Sequence, residues 1–170
     1  QARNLSRTDA EVQAFLEVES DYARRWAADP ELNSRCRFRA VGDRSAFEKL
    51  ETPRLKEAAA EYSDALAALE QAGQGDELCV NILAPYDFMW EIELAVVDGR
   101  FDRSQLAVTE DVSLVIRSGA IGRSLTSGAL PLQVAFSAFH SIPTYFPDCT
   151  IPDFKQAIDD YGRAHRKSGL

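Results

Sequence analysis

Hydrophobic residues recur at helical spacing along most of this chain. The longest mostly apolar stretch runs from Cys79 to Phe101, and two stripes stepping by three and four thread it. Ile82, Pro85, Met89, Ile92 and Val96 form one; Cys79, Leu83, Tyr86, Trp90, Leu94 and Val97 form the other. Two adjacent stripes predict a helix that is apolar around most of its circumference and buried on several sides. Pro85 predicts a kink, or a helix beginning beside it, because proline removes a backbone hydrogen bond. Gly99 supplies the stop.

The rest of the chain predicts helices around that one. Thr8-Asp-Ala-Glu11 reads as a capping box, followed by an apolar face of Val12, Phe15, Leu16, Tyr22, Ala23 and Trp26 and ended by Asp29-Pro30. The next segment alternates Cys36, Phe38 and Ala40 with Arg35, Arg37 and Arg39, which is strand periodicity, but its short length and helical neighbours favour helix. Ser45-Ala-Phe-Glu48 predicts a short capped turn. Thr52-Pro53 opens a helix rich in Ala, Leu, Glu and Lys, with Leu55, Ala59, Tyr62, Leu66 and Leu69 on one face, closed at Gly73. A fourth long helix is expected over 103–118, a short apolar one over 130–140, and an amphipathic one over 152–167 built on Phe154, Ile158 and Tyr161. Glycine, serine and proline make 118–152 an irregular segment. The expectation is an all-α, single helical domain over 1–170. Five to seven helices would wrap a nearly buried central helix at about 77–98.

Composition trims the function classes. At 170 residues, 45% hydrophobic and 27% charged, the chain is an ordinary globular one, and a formal charge of −8 argues against a general nucleic-acid binder. Cys36, Cys79 and Cys149 are odd in number, and no CxxC occurs. They read as buried thiols of a reducing compartment; a Cys36–Cys149 or Cys79–Cys149 disulfide is the alternative in an oxidising one. No uninterrupted apolar run reaches the roughly 18 residues that a spanning helix needs. The chain opens on Gln1 rather than methionine, so an upstream segment is expected to have been removed, and localisation stays open.

Candidate chemistry is sparse. Asp87 and Glu91 stand four apart on one helix face, where paired carboxylates could do acid–base work if one were buried. The structural reading, an ion pair with Arg35, Arg37 or Arg39, is favoured over that enzymatic one. Those arginines, with Arg24, Arg25 and Arg44, could also grip a phosphate, a lipid head group or an acidic partner. Gly119-Ala-Ile-Gly122 between Arg117 and Arg123 has the form of a backbone-clamping GxxG loop but lacks its context. Asp98–Asp102 fails as a calcium loop, since Arg100 and Thr109 stand where oxygen ligands are required. His140 and His165 lie too far apart for a metal site, and neither metal nor cofactor is expected. The apolar stretch from Leu125 to Phe146 offers Leu130, Phe136, Phe139, Tyr145 and Phe146 for contact with a partner protein or a membrane surface.

Trp26…Pro30, Arg35 and the stretch Asn81…Phe88-Met-Trp-Glu91-Ile-Glu…Gly99-Arg-Phe-Asp102 resemble an uncharacterised bacterial family of helical proteins, often tethered by an upstream membrane helix. The resemblance spans roughly residues 5–117. It implies a helical domain and an N-terminal anchor, but no reaction. The functional expectation is therefore a non-catalytic accessory subunit of a larger assembly. Alternatives are a small-molecule or pigment-binding bundle, with a cavity beside Met89 and Trp90, or an enzyme using Asp87 and Glu91.

Overall fold

The computed structural model describes residues 5–119 and 129–167. The chain forms two compact units, Gln1–Asp102 and Arg103–Leu170.

The first unit is built on two long helices. α1 (Asp9–Ala27) starts at the Thr8 capping box, whose hydroxyl and backbone N–H both donate to Glu11. α4 (Pro53–Ala72) starts with proline in its first turn and ends at Gly73. Val12, Leu16 and Ala23 of α1 pack with Leu55, Ala58, Ala59, Tyr62, Ala65, Leu66 and Leu69 of α4. The small alanines let the helices approach closely. Leu16 and Leu69 are fully buried, each contributing about 1.5–3 kcal/mol from removal of apolar surface from water.

Between these helices the chain departs from an all-α plan. α2 (Pro30–Arg35), capped by the Asp29 carboxylate, runs straight into β1 (Cys36–Val41). After α3 (Ser45–Glu48) and α4 comes β2 (Leu78–Leu83), which pairs with β1 in parallel from Cys36↔Leu78 to Val41↔Leu83. β1 buries Cys36 and Phe38 in the helical core and exposes Arg37 and Arg39, so its alternation reflects a strand with one face packed. Val80 and Ile82 of β2 pack against the same core. On its outer side β1 is held by α4: the Ala40 N–H donates to Glu70 Oε1 at 2.7 Å, and Glu70 also pairs with Arg44 at 3.1 Å.

The predicted central helix does not exist. Its first part is β2, residues 84–87 form a turn, and only Phe88–Ala95 is helix (α5). β3 (Val96–Val97) and β4 (Arg100–Phe101) then pair antiparallel. Asp98 and Gly99 both have positive φ, at 51° and 73°, as a two-residue primed hairpin turn requires. LCVNIL is a short run, apolar but for Asn81, and periodicity alone cannot separate such a run from a helix. Nor is α5 wrapped on all sides: Met89 and Leu94 are half exposed.

In the second unit the expected helix over 103–118 is a short 3-10 turn, Arg103–Gln105, followed by β5 (Leu114–Ser118). The expected helix over 130–140 is a set of turns leading into β6 (Ala138–Ile142), which pairs in parallel with β5. The β-branched run Val112, Val115 and Ile116 favours strand over helix. α6 (Ile151–Lys167) packs on both strands and closes the unit. The three cysteines are free; Cys36 is buried, whereas Cys79 is exposed. No helix among the described residues is long and apolar enough to cross a membrane.

Candidate functional site

Parallel strands gather ligands at their carboxyl ends, and both parallel pairs end in unusual local structure. In the first unit β1 runs into Gly42 and β2 into Ala84, a cis peptide to Pro85, Tyr86 and Asp87. The ladder continues past both strands, since Ala84 N–H donates to the Val41 carbonyl at 2.9 Å and Asp43 N–H to the Pro85 carbonyl at 2.9 Å. Gly42 is required by this closeness: a Cβ there would lie 2.2 Å from the Pro85 oxygen.

The turn then hands over to α5. Asp87 is its N-cap, the carboxylate accepting from Met89 N–H at 2.8 Å. Glu91, one turn on, is 1% exposed and accepts from the Tyr86 hydroxyl. Tyr86 is itself buried and meets Trp90 edge-on, ring centres 6.3 Å apart. The two carboxylates thus have different tasks, one capping a helix in partial exposure and the other binding a phenol in the interior.

Of the arginines proposed as their ion-pair partners, one has another carboxylate beside it. Arg35 pairs with Glu77 at 2.9 Å, near the amino ends of β1 and β2, and this surface contact raises the Arg35 pKa. Arg37 and Arg39 lie on the exposed face of β1. Arg24 pairs with Glu61 and Arg25 with Asp21. An open recess of about 510 Å³ surrounds the Arg35–Glu77 pair, lined also by Asp29, Glu31, Leu32 and Leu78. A second cavity of about 10 Å³, bounded by Phe15, Phe47, Tyr62 and Pro85, has room for a single water. Neither cavity is lined by Met89 or Trp90. Burial raises the Glu19 pKa, and burial with the Glu19 charge pushes the hydroxyl of Tyr62, which bounds the smaller cavity, well above the ordinary tyrosine value.

In the second unit β5 ends on Arg117, Ser118 and Gly119. Gly119 has φ +69°, and its N–H is shared between the carbonyls of Ile142 at 3.0 Å and Thr144 at 2.8 Å. A Cβ on Gly119 would meet the Tyr145 ring at 2.7 Å. Arg117 is partly buried beside this turn. The rest of the GxxG stretch and Arg123 lie outside the described residues. On β6, His140 Nδ1 stands 3.7 Å from an Asp160 oxygen on α6. Hydrogen bonds from Arg163 and Gln156 hold the Asp160 carboxyl below the usual range. Among the described residues no group of three or more His, Cys, Asp or Glu side chains is arranged to hold a metal ion.

The five proposed contact residues split. Phe136, Tyr145 and Phe146 are strongly exposed, Phe136 almost completely, whereas Leu130 and Phe139 are partly covered. Sequence reasoning missed Gly42, Tyr86 and the Gly119 turn as elements of strand ends. The available signals were the alternation at 35–40 and the Ala84-Pro85 break in an apolar run.

Over residues 2–169 the sequence matches the prenyltransferase family model of undecaprenyl diphosphate synthases. It is 28% identical over 172 residues to an isoprenyl transferase of Wolinella succinogenes, covering 98% of this chain and 72% of that protein. A probable undecaprenyl diphosphate synthase from Campylobacter jejuni shares the fold with a TM-score of 0.73 at 23% identity, over 94% of this chain and 75% of that one. Lavandulyl diphosphate synthase from Lavandula x intermedia, solved with dimethylallyl diphosphate, gives a TM-score of 0.67 at 23% identity, over 94% and 72%.

Proposed function

Because the chain belongs to the undecaprenyl diphosphate synthase family of prenyltransferases, we propose that it is an isoprenyl transferase acting on isoprenyl diphosphates. The membership replaces the resemblance to an uncharacterised helical family, which rested on residues too widely shared to discriminate. It also replaces the accessory-subunit and pigment-bundle expectations, since the family and its relatives are enzymes.

The match over 2–169 carries this reading. In such a transfer the C1–O bond of an allylic diphosphate breaks and diphosphate leaves with the electron pair. A C–C bond forms to the double bond of a second isoprenyl diphosphate, and a proton departs. The protein must hold diphosphate groups, guide an apolar chain and fix both in a reactive geometry. Arg117, at the carboxyl end of β5 beside the left-handed Gly119, suits the first task, because a guanidinium binds phosphate oxygens two at a time. Phe136, Tyr145 and Phe146 stay as the residues we propose for contact with another protein chain, now for an enzyme.

The test is incubation with dimethylallyl diphosphate and radiolabelled isopentenyl diphosphate in magnesium buffer, followed by solvent extraction. Extractable label is expected, falling about a hundredfold in Arg117→Ala, the loss of one preorganised charge contact. A wild-type chain that incorporates no label would overturn the reading.

A further inference from the structure

Glu91 is the only buried carboxylate among the described residues, and it lies in the first turn of α5, the helix that follows the turn at the carboxyl end of β2. We propose that Glu91 is a positioning residue for prenyl transfer, acting through Tyr86 on the turn 84–87; the proposal rests on the reading just given.

Burying a carboxylate is costly, and replacing a buried polar pair by apolar groups of similar shape is often neutral or stabilising. Packing alone would therefore be served at least as well without the Glu91–Tyr86 pair. What the carboxylate adds is direction. It accepts the Tyr86 O–H and so fixes the ring that lies edge-on to Trp90. It stands in the first turn of α5, where the helix dipole favours a negative charge. Tyr86 connects Pro85 to the N-cap Asp87, so holding its ring holds the backbone between strand and helix.

The same turn is clamped from its other side. Gly42 admits the Pro85 carbonyl to a distance no side chain would tolerate, and Asp43 N–H binds that carbonyl. Two independent restraints on four residues at a strand's carboxyl end are more than connecting β2 to α5 requires. They suit a surface against which a substrate must be held to within a fraction of an ångström, since a misplacement of about 1 Å can cost about a hundredfold in rate.

The experiment compares Glu91→Gln, Glu91→Leu, Tyr86→Phe and the Glu91→Gln/Tyr86→Phe double variant in the labelled-isopentenyl assay, with melting temperatures alongside. The expected result is a fall in kcat of about tenfold or more in each single variant, with KM for dimethylallyl diphosphate within about twofold of wild type. Glu91→Gln, whose amide oxygen can still accept from the Tyr86 hydroxyl, should keep a near-wild-type melting temperature, which a merely structural role would not allow together with lost activity; Glu91→Leu strands that hydroxyl and should melt lower. The double variant should be no worse than the poorer single one, because the two groups act as a unit. Should Glu91→Leu fail to fold, the two isosteric variants decide alone. Wild-type kcat in Glu91→Gln or Tyr86→Phe, or a loss of activity that only tracks melting temperature, overturns the positioning role while leaving prenyl transfer standing. An inactive wild-type chain overturns the transferase reading, and the positioning role with it.

Discussion

Gly42→Ala tests whether the two strand ends are in backbone contact. The added Cβ would sit 2.2 Å from the Pro85 oxygen, 2.6 Å from its carbon and 2.9 Å from the Ala84 carbon. Carbon–oxygen and carbon–carbon contacts settle near 3.5–4.0 Å, and no flexible side-chain end is available to yield. Either the Pro85 carbonyl retreats or β1 shifts. The first route breaks the 2.9 Å hydrogen bond from Asp43, worth about 1 kcal/mol. Overpacking adds about 1–3 kcal/mol, so the expected loss is about 2–4 kcal/mol. At roughly 2–4 °C per kcal/mol for a chain of this size, melting should fall by about 4–16 °C. Both tryptophans, Trp26 and Trp90, belong to the unit that contains Gly42. Their fluorescence in urea therefore reports its unfolding directly. The midpoint should drop with the slope unchanged. A loss below about 1 kcal/mol would refute the contact, because no packing adjustment that small could accommodate the methyl group.

Two further outcomes follow from the charges. Burial raises the Glu19 pKa above its ordinary 4.5, so the folded state favours the protonated form. Stability from this group is therefore fully present below about pH 4.5 and is lost as pH rises through the higher folded value. Glu19→Gln should gain stability at neutral pH, by less than about 1 kcal/mol given its partial exposure, and the gain should vanish in paired urea titrations near pH 4; a gain that persists there would contradict the assignment. Arg35→Ala removes an ion pair whose side chains are 61% and 59% exposed, so urea unfolding should move by no more than about 1 kcal/mol.

The elements set by local chemistry were legible. Thr52-Pro53 and Gly73 frame α4, and the Thr8 box starts α1, because caps act within one turn of the chain. The strands were not, because what decides them lies elsewhere in the sequence. Cys36, Phe38 and Ala40 alternate correctly, but a strand of six residues is recognisable only beside its partner, and β2 lies more than thirty residues later. β2 itself has an apolar run that fits strand and helix equally, and the Pro85 break within it was the one clue to a change of element. At the site, Asp87 and Glu91 were found as a pair. Their separation into cap and interior depends on Tyr86 turning inward, which no spacing rule contains. Arg117 stood beside a GxxG stretch that lacked the context of a phosphate clamp, and the phosphate-gripping role was given to other arginines, so its place at the carboxyl end of β5 was not foreseen.

The Glu70 carboxylate has a consequence for how the chain behaves among its own copies. An outermost strand with bare amide groups invites a neighbour's strand to join it, which is how many β-containing proteins aggregate. By receiving the Ala40 amide, with Arg44 keeping it in place, Glu70 fills one of the positions such a neighbour would need. A side chain on a helix thereby acts as a guard against mispairing, and its removal would show first in solubility at high concentration rather than in the folded structure.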